Sequence, residues 1–113
     1  MTEALDLFSV EQSRDFAEIL KAVAHPLRLR IIDHLEKGEL CVGDLARRVE
    51  KKQAIVSQQL KILRMVGLVK TERRLGRSYY RINNRVLNDL LTCLRRCTGA
   101  DDDGPGGDEK EGN

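Results

Sequence analysis

The stretch KKQAIVSQQLKILRMVGLVKTERRLGRSYYRIN, residues 51–83, decides the fold, because the hydrophobic period changes within it. In its first half Val56, Leu60 and Leu63 recur at helical spacing and share one face of a helix predicted from about Gln53 to Val66. Ala54, Ser57, Gln58 and Lys61 fall on the opposite, outer face. Gly67 ends the helix, being the residue type that best takes the left-handed backbone closing many helices. Beyond it the period drops to two. Leu68–Arg73 and Ser78–Asn83 read as strands, with Leu75-Gly76 at the tip between them. A helix with a small polar outer face is thus followed by a β-hairpin flanked by Arg73, Arg74 and Arg77.

Upstream, Glu50-Lys51-Lys52 is a short basic connection, preceded by a predicted helix from Val42 to Val49. A second helix starts near His25-Pro26, with proline in its first turn, carries Leu27, Ile31, Ile32 and Leu35, and stops at Gly38. A first helix is predicted over Ser9–Ala24. Ser9 and Gln12 make a capping-box pattern there, and Phe16, Ile19, Leu20 and Val23 form one stripe. Downstream, a helix over Asn84–Thr98 carries Val86, Leu87, Leu90, Leu91 and Leu94. That apolar face is broad for a terminal helix, so it is expected to pack on something besides its own domain. Asp101–Asn113 has no apolar residue and four glycines, and is expected to be a disordered acidic tail. The predicted fold is mainly α with a β-hairpin wing, a winged helix-turn-helix domain over residues 1–100.

The charge pattern adds a partner. The chain of 113 residues has a formal net charge of +2, but residues 45–96 hold fourteen basic and three acidic groups, a net of +11. Residues 1–44 hold five basic and nine acidic groups, a net of −4. Such polarity marks a face turned to a polyanion. Hydrophobic residues make up 41% and aromatics 4%, which suits a core of Leu, Ile and Val in helices. No apolar run approaches a membrane span, and the first residues lack a basic segment leading into an apolar one, so a cytoplasmic protein is expected. No Gly-rich phosphate loop, paired carboxylates or nucleophile beside a base is apparent, and an enzyme is not expected.

Double-stranded DNA is the expected partner. A recognition helix fits the major groove, where Gln and Ser side chains hydrogen-bond base edges, while Lys and Arg engage phosphates. Gln53, Ser57 and Gln58 are the candidates for base readout. Lys51, Lys52, Lys61 and Arg64 are candidates for backbone contacts, with Arg73, Arg74, Arg77 and Tyr79 on the wing. The residues alone leave open a winged-helix interaction module that turns its basic face to an acidic protein.

Four segments together resemble the ArsR/SmtB family of prokaryotic metal- and redox-responsive repressors: KAVAHPLRLRIIDHL, ELCVGDLARRV, VSQQLKILRMVGLVKTER and GRSYYRIN. The family's recognition helix commonly reads Ser-x-His-Leu, then Leu-Arg and Gly-Leu-Val. Here the residues are Ser57-Gln58-Gln59-Leu60, Leu63-Arg64 and Gly67-Leu68-Val69, with Gln59 replacing the usual His. The resemblance implies a homodimer built on the first and last helices, with Phe16, Leu87, Leu90, Leu91 and Leu94 in its interface. It also implies an inverted-repeat operator, released when an inducer binds.

The inducer rests on three cysteines, too few and too odd in number for a disulfide framework. Arsenic- and cadmium-responsive relatives often carry Cys-Val-Cys where this chain has Cys41-Val42-Gly43, so that site is incomplete. The positions matching the zinc-responsive relatives' ligands are Asn84, Val86 and Cys97, so that site is broken too. His25 and His34 are read as structural. Cys93 and Cys97, one helical turn apart, place two sulfurs on one face. With a third thiolate, Cys41 or one from a partner chain, they would suit As(III) or Sb(III), the favoured inducer. The alternative is a reactive-sulfur or redox switch in which two cysteines become linked. DNA binding itself is expected to need no cofactor.

Overall fold

Ser9 opens the first helix through the reciprocal cap its sequence announces. Its Oγ accepts from the Gln12 backbone N–H at 3.0 Å, and its own N–H donates to Gln12 Oε1 at 2.9 Å. The computed structural model describes residues 7–97. Five helices and three strands follow one another: α1 (Val10–Val23), α2 (Pro26–Glu36), β1 (Leu40–Cys41), α3 (Val42–Val49), α4 (Gln53–Met65), β2 (Val69–Arg74), β3 (Arg77–Ile82) and α5 (Arg85–Cys97). The architecture is a winged helix-turn-helix. Thr98, expected at the end of the last helix, and the acidic segment 101–113 lie outside the described residues, as do the ends of the expected 1–100 domain.

Each helix end has a local cause. His25 caps α2, its Nδ1 accepting from the Leu27 N–H at 3.2 Å, and Pro26 supplies the first turn without a donor to satisfy. Glu50 closes α3 in the left-handed region, φ 59°, with the Lys51 N–H bonded to the Ala46 carbonyl at 3.0 Å. Gly67 closes α4 in the same way at φ 81°, and the Leu68 N–H returns to the Leu63 carbonyl at 3.0 Å.

The hairpin forms where the period of two predicted it, with Val69 paired to Ile82 and the register running out to Arg74 opposite Arg77. One strand was not foreseen. Leu40 and Cys41 pair antiparallel with Tyr80 and Tyr79, so the sheet has three strands in the order β1-β3-β2. Two residues are too few to show alternation, and the period that reveals a strand is absent from them.

The chain divides into two units at Asn83 and Asn84. In the first, Ile31, Ile32, Leu45, Val49, Val56, Leu60, Leu63 and Leu68 are fully buried. The core is thus aliphatic and drawn from α2, α3, α4 and the start of the hairpin. In the second, Asn84 caps α5 by accepting from the Val86 N–H at 2.9 Å. Along α5, Leu87 and Leu91 are buried, Leu90 is half-buried, and Val86 and Leu94 are exposed.

Candidate nucleic-acid interface

Burial along α4 sorts its side chains as the helical wheel required. Val56, Leu60 and Leu63 are fully buried, whereas Gln53, Ala54, Ser57, Gln58, Lys61 and Arg64 are exposed. A helix pinned by three apolar side chains presents its polar ones on a fixed face, which readout of base edges needs. Lys51 and Lys52 are exposed immediately before its first turn, where the helix N-terminus adds partial positive charge.

Between the head of α3 and the wing, with the first residue of α4 at its edge, lies a cleft of about 500 Å³. Arg47, Gln53, Arg73, Arg77 and Ser78 line it, with Cys41 also in its wall. A second hollow, of about 660 Å³, continues along the α3–α4 turn past Arg47, Lys51, Lys52 and Gln53. Arg47 is in both, and sequence reading missed it. Its guanidinium is oriented by an ion pair with Asp44, one turn earlier on α3. The i, i+3 acid–base spacing was the available signal.

On the wing the arginines divide. Arg73 and Arg77 face the cleft, and Arg73 Nη1 reaches Ser78 Oγ across the strands at 3.3 Å. Arg74 instead has partners inside the protein. Its Nη2 donates to Glu39 Oε1 at 2.6 Å, and its guanidinium carbon stands 4.4 Å from the centre of the Tyr79 ring. The bond to Glu39 raises the Arg74 pKa above the usual guanidinium value. Tyr79, half-buried, is thus a platform for Arg74.

Behind the reading face, Gln59 is held from another helix. Arg28 of α2 donates through Nη1 to Gln59 Oε1 at 2.8 Å and through Nε to the Ala22 carbonyl at 2.5 Å. One guanidinium therefore ties the end of α1 to the middle of α4. Arg30, also on α2, caps α3 by donating to the Val49 carbonyl at 3.1 Å.

The arrangement is matched among known proteins. Residues 25–71 match the arsR family of bacterial regulatory proteins. A transcriptional repressor SmtB homolog from Synechocystis is 44% identical over 85 residues, 74% of this chain and 64% of that protein's own length. The solved structure of HlyU from Vibrio cholerae superposes with a TM-score of 0.75 at 32% identity, covering 79% of this chain and 97% of that one. The chain belongs to the arsR family. An arsR-family regulator is a DNA-binding transcriptional regulator and not an enzyme. A homodimeric winged helix-turn-helix DNA-binding domain from Mycobacterium bovis superposes at a TM-score of 0.72 with 28% identity, over 83% of this chain and 90% of that one.

The three cysteines of this arsR-family chain are all free thiols. Cys41 is buried at the head of α3, and Cys93 and Cys97 are exposed on α5. Among the described residues, no three His, Cys, Asp or Glu side chains are grouped to hold a metal ion. No helix of the described residues is long and apolar enough to cross a membrane.

Proposed function

We propose that this chain is a homodimeric transcriptional repressor that holds an inverted-repeat operator and lets go when the α5 thiols react. The observation that carries the reading is the face formed by Ser57, Gln58 and Lys61, opposite the buried Val56, Leu60 and Leu63 and bordered by the arginine-lined cleft. Gln53, Ser57 and Gln58 read bases. Lys51, Lys52, Lys61, Arg64, Arg73 and Arg77 engage phosphates, joined by Arg47, while Arg74 and Tyr79 hold the wing in place. The likeness to repressors supports the direction of control. No cofactor takes part in DNA binding, and the protein works in the cytoplasm.

The dimer rests on apolar side chains that one chain leaves uncovered. Phe16, Leu20, Val86 and Leu94 are exposed, and Phe8 stacks edge-on against Phe16 with centroids 4.7 Å apart. On α5, Leu87 and Leu91 are buried in the single chain, so Val86 and Leu94 are the side chains left to a partner.

For the inducer, Cys93 and Cys97 supply two accessible thiols, where a trigonal As(III) site takes three. A third thiolate from the partner chain completes the metalloid reading. The redox reading needs only the pair. Side chains four residues apart on a helix have Cβ atoms about 5–6 Å apart, beyond the about 4 Å of a disulfide, so linking the pair by an oxidant such as a persulfide requires the end of α5 to unwind.

The decisive experiment is binding to a duplex selected by the protein from a random library, titrated with salt. Affinity is expected to fall steeply and linearly in log–log form. A flat response would remove the DNA-binding reading and favour an acidic protein partner.

A further inference from the structure

The tip of the wing breaks a local rule. Beyond Arg74 opposite Arg77 the chain turns in two residues, Leu75 at φ 52° and Gly76 at φ 77°. Positive φ at both central positions is the pattern of a type I′ turn, in which Asn-Gly is the favoured pair. Leucine has no polar side chain to stabilise the left-handed backbone, and its Cβ crowds the following carbonyl there. Nothing in the fold compensates for this, because Leu75 is 99% exposed. No heavy atom lies within 4 Å of where a side chain on Gly76 would start, so the tip stands clear.

An exposed leucine alone asks for no explanation. One that is fully exposed and held in a backbone state that disfavours it points to a task outside the folded chain. Its surroundings define the task. Arg73 and Arg77 line the cleft beneath the tip, so what meets Leu75 is polyanionic. A polyanion that also accepts an apolar side chain is duplex DNA, through its minor groove: apolar side chains there enter between base steps while arginines hold the backbone.

We propose that Leu75 is an apolar wedge that enters the minor groove beside the major-groove site of α4 and unstacks the base step it meets. This rests on the DNA-binding reading above. It adds a preference at the outer edges of the site for steps that unstack easily, such as TA and CA, without a hydrogen bond to any base.

The test uses the full chain and a duplex selected by it, carrying 2-aminopurine at successive outer positions. The parent is expected to brighten the probe at one outer step. Leu75→Asn suits the turn, so it should melt no lower than the parent. It should nonetheless lose the brightening and bind about fivefold or more weakly, with an unchanged salt slope because no charge is removed. Leu75→Met, which keeps an apolar tip, should retain both properties. The wedge is overturned if Leu75→Asn binds and brightens like the parent, or if the parent brightens no step. It is overturned also if the salt slope of Leu75→Asn falls with its affinity, since the tip would then only be aiming arginines. A parent with no salt-dependent binding to any duplex brings down the DNA-binding reading itself.

Discussion

Arg28 and Gln59 are joined by a 2.8 Å hydrogen bond that runs from α2 to the centre of the reading helix. The same guanidinium takes the Ala22 carbonyl at the end of α1, so the orientation of α4 depends on a helix outside the DNA-facing surface. Arg28→Ala should leave both acceptors without this donor and destabilise the fold by about 1–3 kcal/mol, read by urea unfolding. Gln59→Glu keeps an acceptor and turns the bond from the charged guanidinium into an ion pair, so its stability should stay at or above the parent's. Equal loss in both variants would show that the bond does not hold the helix.

Reading and holding should separate by mutation. Gln58→Ala is expected to lose about 1–3 kcal/mol on a selected duplex and little on a random one. Lys51→Gln with Lys52→Gln should weaken both alike and lower the salt slope by about 0.9 for each phosphate that is no longer neutralised. Unchanged sequence preference in Gln58→Ala would move base readout to other residues.

Glu50 occupies the left-handed position that closes α3, amid a basic surface. Glu50→Gly should relieve that backbone and raise stability by on the order of 1 kcal/mol, measured by thermal or urea unfolding. Removing a negative charge beside Lys51 and Lys52 should also tighten DNA binding. A less stable variant would mean that the Glu50 side chain contributes more than its backbone loses.

Assembly should fail when a charge is placed on the exposed apolar surface of α1. Leu20→Glu is expected to sediment as a monomer and to lose most operator affinity, while its helical circular dichroism persists. A dimer of unchanged mass would place the interface elsewhere. Leu91→Lys is a poorer probe, because Leu91 is buried within the single chain and its loss would unfold rather than dissociate.

Cys97→Ser should bind DNA like the parent and resist release by As(III) and by persulfide. Mobility shifts with and without each reagent would show it. If Cys41→Ser, Cys93→Ser and Cys97→Ser are all released like the parent, the thiols have no part in release.

Much of this was legible in the sequence because the signals were local and repeated. Ser9 and Gln12 fixed the start of α1, Gly67 the end of α4, and three apolar residues the inner face of that helix. What escaped depended on pairs far apart in the chain. Nothing in the two residues of β1 announces their bond to β3, and nothing near Arg74 announces Glu39, 35 positions earlier. The broad stripe on α5 was legible as apolar, but periodicity does not separate a side chain buried in its own chain, such as Leu87, from one left exposed, such as Val86. The wing-tip leucine could be read from sequence only as a turn residue. Its strain is a matter of backbone angle.

The short strand β1 supports the wing unevenly. Its last partner is Tyr79, so the pairs Arg73–Ser78 and Arg74–Arg77 project past it, without a third strand beside them and with Arg74 tethered to Glu39. At about 3.4 Å per residue this is an overhang of roughly 7 Å, anchored at the root and sprung at the end. A cantilever of that length bends where a three-stranded sheet does not. In the proposed complex, variation in groove width from one site to another is absorbed by the outer hairpin, while α4 keeps its alignment. The tip is then a part that relatives could exchange, residue by residue, without retuning the helix that reads.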